Sequence, residues 1–337
     1  MRFSATIVFV AALISVNVIL GSVTTYKTSQ INLPDAYALQ RGVMPPGVTI
    51  FIDKGNALFN QGNYAQAIQS YDKALAINAN DEVALDNKGI ALYGLGNYTQ
   101  AIHSYAKTLA LDPNDKVALD GKGASLNRLG DYLQAMLYLD RALAVDPNYK
   151  VALDNEGAAR YGLGNYTQAI QYFNKALSID PNYKEAFDNK GAALSGLRNY
   201  TDAIQSYDKA LAIDANDKVA LIGKANSLLG LRNFTRAIQY YDKTLAVDPN
   251  FKEALDGKGE SLSDLGSYSQ SIHYYDKALA VDPNYKIALN DKGAALYGSG
   301  NYTQALHYFN KALSIDPKYK EALNNKQTVV SKMRGVS

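Results

Sequence analysis

A 34-residue unit recurs eight times between Val48 and Tyr319, with small, aromatic and turn-forming residues returning at the same offsets. With offset 1 at Val48, the copies span 48–81, 82–115, 116–149, 150–183, 184–217, 218–251, 252–285 and 286–319. A period of this length describes a stack of identical supersecondary units. None of them buries its apolar face alone, so neighbours share a continuous core and the chain presents a long surface. The copies take 272 of 337 residues, leaving 47 before and 18 after. Neither remainder is long enough for an enzyme domain of ordinary size, so the expectation is a protein that is not an enzyme.

The second copy, Glu82 to Asp115, shows what each unit forms. Leu85, Gly89 and Leu92 recur at helical spacing, Gly96 and Asn97 interrupt, and Tyr98, Ala101, Ile102, Tyr105, Thr108 and Leu109 recur again before Asp112-Pro113. This is two amphipathic helices joined by a tight turn. Offset 8 is glycine in seven copies and Ala225 in the sixth. Glycine inside a helix costs about 1 kcal/mol against alanine, so its repeated use needs a close approach between helices. The alanines at offset 20 are expected opposite. Proline at offset 32 ends the second helix, and Ala79 and Ala215, which replace it, are expected to leave less sharply defined junctions. Arg160 departs from the leucine of offset 11, and Arg198 and Arg232 from the turn glycine of offset 15.

This pattern resembles the tetratricopeptide repeat. The family places an apolar residue at offset 4, small residues at 8, 20 and 27, aromatic residues at 17 and 24, and proline at 32. The resemblance implies an all-α, right-handed α-solenoid of eight helix-turn-helix repeats. Residues 320–337 start like a ninth copy and read as a C-terminal capping helix and tail. In the family, first helices line a concave groove faced by offsets 2, 5, 6, 9, 12 and 13. Carried over, the groove holds Asp86, Asp120, Asp154, Asp188 and Asp256, with Asp53, Asp291, Glu185, Glu253, Glu260 and Asp264, against the single base Arg128. Tyr93, Tyr161 and Tyr297 at offset 12 would add aromatic contacts. The expected partner is an extended protein or peptide, basic or neutral in charge. The lysine clamp with which relatives hold acidic chaperone tails is absent, because Ile52, Val117 and Gly121 stand where its bases belong. The acids also have a simpler reading, as first-turn residues that complement the helix dipole and pair with lysines four residues earlier, Lys116 with Asp120 among them.

The remaining features bear on compartment and chemistry. Ala5 to Val23 carries no charge and, as a helix of roughly 29 Å, matches a bilayer core. Residues 1–23 are therefore expected to be a signal peptide or an N-terminal membrane anchor, and 24–47 a linker. Arg2 before the apolar stretch predicts an array outside the cytosol, anchored at the membrane or secreted after cleavage. Asn97, Asn165, Asn199, Asn233 and Asn301 each begin an Asn-x-Thr sequence and are candidate N-glycosylation sites. They are equally good helix N-caps. His103, His273 and His307 share offset 22 on a solvated helix face, and no metal site is expected. Formal charge is +2, from 34 basic and 32 acidic residues, which gives no electrostatic case for nucleic acid. There is no cysteine, and no motif points to a catalytic residue or a cofactor. The function expected is a non-catalytic protein-interaction scaffold. An accessory subunit recruiting substrate to a separate enzyme, or a self-associating structural protein, fits the same repeats.

Overall fold

Each copy is built around a glycine that makes room for a ring. A Cβ on Gly89 would come within 2.6 Å of Tyr105, on Gly157 within 2.5 Å of Phe173, and on Gly293 within 2.7 Å of Phe309. The offset-8 glycine thus admits the offset-24 side chain of its own copy. The offset-20 alanine is fully buried, but it is the ring that fills the space expected for it. Only at Gly123, where offset 24 is Leu139, does the carbonyl of Ala135 also approach, at 3.2 Å. Burying such a ring contributes about 1.5–3 kcal/mol, which more than offsets the cost of a helical glycine.

The computed structural model describes residues 46–335, which form seventeen helices and no strand. In order they are α1 (Pro46–Asn60), α2 (Tyr64–Ile77), α3 (Glu82–Gly94), α4 (Tyr98–Leu111), α5 (Lys116–Leu129), α6 (Tyr132–Val145), α7 (Lys150–Gly162), α8 (Tyr166–Ile179) and α9 (Lys184–Gly196). There follow α10 (Tyr200–Ile213), α11 (Lys218–Gly230), α12 (Phe234–Val247), α13 (Lys252–Asp264), α14 (Tyr268–Val281), α15 (Lys286–Gly298), α16 (Tyr302–Ile315) and α17 (Lys320–Met333). The chain divides inside α9 into two compact units, residues 46–193 and 194–335. Each is an all-α stack of the solenoid class, in which a helix packs on its partner within the copy and on the first helix of the next.

The turns follow the sequence closely. Six glycines at offset 15, from Gly62 to Gly300, adopt left-handed backbone, and Arg198 and Arg232 are held in the same region at φ 59°. Side chains other than glycine reach this region at a cost of roughly 1–2 kcal/mol. The junctions lacking proline are as well made as the rest. Asn78 N–H donates to the Ala74 carbonyl at 3.0 Å, and Asp214 to Ala210 at 2.9 Å, matching Asp112 to Thr108 at 2.8 Å. The following helices are then capped by aspartate, Asp81 accepting from Ala84 and Asp217 from Val219 and Ala220. Helix capping thus supplies the sharpness expected from proline.

The expected location of the array outside the cytosol is corrected. No helix among the described residues is long and apolar enough to cross a membrane. The segment Ala5–Val23, on which the anchor and signal readings rest, lies outside the described residues, as does the linker up to residue 45. Pro46 and Gly47 already belong to α1.

Candidate functional site

Within each unit, first helices adjoin the first helices of neighbouring copies, as α5 does α7 and α13 does α15. They therefore form one inner face, and what stands on it is set by three repeating contacts.

The first contact removes the lysines at offset 1 from that face. Lys116 Nζ donates to Asp146 at 2.6 Å, Lys150 to Asp180 at 2.6 Å, Lys218 to Asp248 at 2.9 Å, Lys252 to Asp282 at 2.5 Å and Lys286 to Asp316 at 2.6 Å. Each also lies over the aromatic ring that closes its copy, for example Lys150 at 5.0 Å from the Tyr183 centroid. The accepted proton of the lysine holds Asp146 and Asp180 below the usual carboxylate range. These lysines reach across their own copy to offset 31. Only Lys184 approaches the aspartate four residues on, Asp188, at 3.5 Å. Pairing with lysine is therefore not what explains the aspartates at offset 5.

The second contact accounts for two of them, Asp120 and Asp154. Asp86, Asp120, Asp154, Asp188 and Asp256 are all buried in the single chain. Asn155 Nδ2 donates to Asp120 Oδ1 at 2.8 Å, and Asn189 Nδ2 to both oxygens of Asp154 at 3.1 and 3.0 Å. Asn325 meets Asn290 in the same way at 3.0 Å. The residue at offset 5 is thus clasped by the offset-6 asparagine of the next copy, 35 residues on. Asp86 accepts instead from the Thr108 hydroxyl at 2.7 Å, because Gly121 stands at offset 6. Burial, opposed by the asparagine bond, pushes Asp120 and Asp154 up to about 7.

The third contact lies at offset 6. After three rings that carry a hydroxyl, Tyr105, Tyr207 and Tyr241, offset 6 is glycine, and a Cβ on Gly121, Gly223 or Gly257 would lie within 2.5 Å of the ring tip, whereas after Tyr71 and Tyr275 it is Asn87 and Asp291. Where the side chain ends short, at Leu139, Phe173 and Phe309, offset 6 is Asn155, Asn189 or Asn325.

Two places depart from this pattern. In the fourth copy the lysine of offset 7 is replaced by Glu156, fully buried, and the guanidinium of Arg160 meets its carboxylate at 2.7 Å. Arg160 also donates to Gln168 at 2.8 Å and lies 4.7 Å from the Tyr172 ring centroid. Burial, then the nearby Asp140, push Glu156 up to about 7 in spite of Arg160. The substitution at Arg160 is therefore one half of a pair. Its signal in the sequence is the lone acid at offset 7.

The other departure is at the seventh and eighth copies. Asp256 is fully buried and neither carboxylate oxygen has a hydrogen-bond partner. Offset 6 of the next copy is Asp291 where the clasp would have asparagine. Burial comes first among the causes that hold Asp256 well above the usual carboxylate range, followed by the charges of Asp291, Glu260 and Glu253. Glu260 is pushed up to about 8 by burial, Asp291 and Asp264, and Asp291 to about 7 by burial, Glu321 and Asp264 against a bond from Asn290.

The aromatic residues of offset 12 turn inward. Tyr93 and Tyr161 are buried, with ring centroids 5.2 Å from Tyr98 and 5.3 Å from Tyr166, while Tyr297 is half-buried against Tyr302 at 5.4 Å. Each therefore braces the following helix of its own copy. The five asparagines of the Asn-x-Thr sequences occupy helix N-caps: Asn199, Asn233 and Asn301 accept backbone N–H bonds, and Asn97 and Asn165 sit at the same position without one. His103, His273 and His307 are exposed on second helices, and among the described residues no group of three or more potential ligands is placed to hold a metal.

Models of the tetratricopeptide repeat match residues 48–81, 87–150, 155–183, 195–259 and 257–320, together well over half of the chain. Among solved structures, the APC/C hetero-tetramer Cut9-Hcn1 is similar in fold, with a TM-score of 0.67 and 15% identity over 83% of this chain. The chain spans 55% of that protein's length. A tetratricopeptide repeat protein from Parabacteroides merdae matches with a TM-score of 0.58 and 18% identity, over 74% of this chain and 98% of its own. No curated protein matches the chain in sequence. On the family models and the helix-pair stacking together, the chain belongs to the tetratricopeptide repeat family.

Proposed function

We propose that this protein is a noncovalent scaffold that holds an extended peptide or protein segment against the inner face of its first helices, without catalysing a reaction. The observation that carries this reading is the side-by-side packing of first helices in each unit, which turns one position per copy into a periodic row. An extended segment suits such a row, because it meets successive copies with successive residues.

In this reading Asp86, Asp120, Asp154 and Asp188 of the first unit, and Asp256 of the second, lie buried behind the binding residues, as do Tyr93 and Tyr161. The half-buried residues Asn56, Asn226, Glu260 and Tyr297 reach the surface beside them and provide the contacts for a basic or neutral partner. No nucleic acid is involved, since buried and half-buried acids on this face repel phosphate.

The test is selection of binders from a random peptide library, followed by photo-cross-linking. A photoreactive residue at Asn56 or Asn226 should capture the selected peptides, and one at His103 on the exposed side of a second helix should not. Capture only from His103 would move the interface to the opposite side.

A further inference from the structure

At one junction on the inner face the residue that would clasp a buried aspartate is itself an acid. In α13 three acids stand one helical turn apart, Asp256, Glu260 and Asp264, and from α15 Asp291 is added. Like charges four residues apart on a helix repel, so the arrangement is costly unless something compensates it. In the two helices the Asn290 amide donates to Asp291 at 2.9 Å, but no base offsets the charges. All four of their lysines are engaged elsewhere: Lys252 with Asp282 at 2.5 Å, Lys286 with Asp316 at 2.6 Å, Lys258 with Asp242 and Lys292 with Asp276.

The buried carboxylate at the centre is what distinguishes this group from an ordinary acidic surface. Asp154, at the same offset, receives two bonds from Asn189. Asp256 is buried as fully and receives none. A carboxylate left in that state is costly, and the sequence itself contains the remedy, asparagine at offset 6, in three other copies. Glu260 and Asp291 are half-buried and Asp264 is exposed, so the group opens from the core toward the inner face.

We infer that Glu260 and Asp291, backed by the buried Asp256, form a receptor for one basic side chain of the bound segment, best matched by an arginine guanidinium. Its planar fork of donors can meet two carboxylates at once, which an ammonium does less well. The inference rests on the peptide-binding reading and gives that reading a position and a preference. The groups facing Asp256 are the acids Asp291, Glu260 and Glu253, and the same acids also lie near the phenols of Tyr275 and Tyr285. All the acids would be ionised fully only with the cation present, so binding releases protons and weakens as pH falls.

The test uses an acetylated arginine octapeptide as probe, with glutamate and serine octapeptides as controls, titrated calorimetrically into the full chain at pH 8 and pH 6. The wild type should bind the arginine probe alone, more tightly at pH 8. Asp291→Asn installs the pairing already present between Asp154 and Asn189, so it should fold well; it should weaken the probe by about tenfold or more, roughly 1.4 kcal/mol. Glu260→Gln should weaken it in the same direction. Unchanged affinity in both variants, or no binding by the wild type, would overturn the receptor. Library peptides that cross-link at Asn226 report separately on the face: if they bind while the probe ignores Asp291→Asn, the receptor falls and the peptide-binding face stands; if neither binds, both fall.

Discussion

Asp154 and Asp256 occupy the same offset of the same repeat, are both buried, and end in opposite states. The first is clasped by Asn189 of the following copy, while the second meets Asp291 and has no donor. A single oxygen-for-nitrogen exchange 35 residues downstream separates a finished structural contact from an unneutralised one. The contrast shows that an acidic row in a repeat array is not one feature. Asp120 and Asp154 belong to the joint between copies, and the informative member is Asp256, whose neighbour at offset 6 is a second acid.

Glu156 offers a second side to the same contrast, since it is a buried acid that has been given a base. Removing that base should have the largest effect of any single change considered. Arg160→Ala is expected to lower unfolding stability by about 3–5 kcal/mol, because it leaves a buried charge uncompensated. The double change Glu156→Lys with Arg160→Leu, which restores the residues of the other copies, should recover most of the loss. Denaturant unfolding of both proteins measures this, and equal loss in the two would show that the pair is not the cause.

Exchanging the two joints comes next. Asn189→Asp should cost about 1–3 kcal/mol by removing the donor to Asp154 and adding a like charge. Asp291→Asn should instead stabilise by about 1 kcal/mol, seen as a higher melting temperature. The two changes are the inverse of each other, so effects of the same sign would contradict the account that asparagine completes the joint.

The pH dependence follows from the direction of the shifts. Asp120, Asp154, Glu156, Glu260 and Asp291 have folded pKa values raised to about 7 or 8, above their unfolded values near 4. The folded chain therefore holds protons that the unfolded chain has released. Their favourable contribution is complete below about pH 4 and is lost as pH rises through 7 to 8. Melting temperature should fall between pH 5 and 8, and the fall should be shallower in Asp291→Asn. Asp146 and Asp180, whose values are lowered, act with the opposite sign, but only in more acid solution and with strong solvent screening. The smallest effect expected is at a turn: Arg232→Gly should stabilise by roughly 1 kcal/mol through relief of left-handed backbone, again read from unfolding.

Much of this was legible in the sequence, and the part that was not has a common cause. Period, helix pairing, turn glycines and the purpose of Gly89 or Gly157 follow from spacing within one copy. The direction in which a side chain leaves that copy does not. Lys116 looks paired with Asp120, one turn away, and is found on Asp146 because its long stem reaches across the copy to the loop beyond. Tyr93 and Tyr161 look like groove aromatics and are drawn instead onto Tyr98 and Tyr166, where burying a ring is worth more than exposing it. The clasp between Asp154 and Asn189 was present as a recurring 35-residue separation, one more than the repeat, and so is invisible when copies are aligned position by position.

A carboxyl-carbon NMR titration of the aspartates, with and without the arginine octapeptide, reads the contrast at its source. Asp291 should titrate near pH 7 in the free protein and move down when the peptide is added, while Asp154, held by Asn189, should titrate near 7 in both. An ordinary value near 4 for Asp291 in the free protein, or no response of Asp291 to bound peptide, would contradict it.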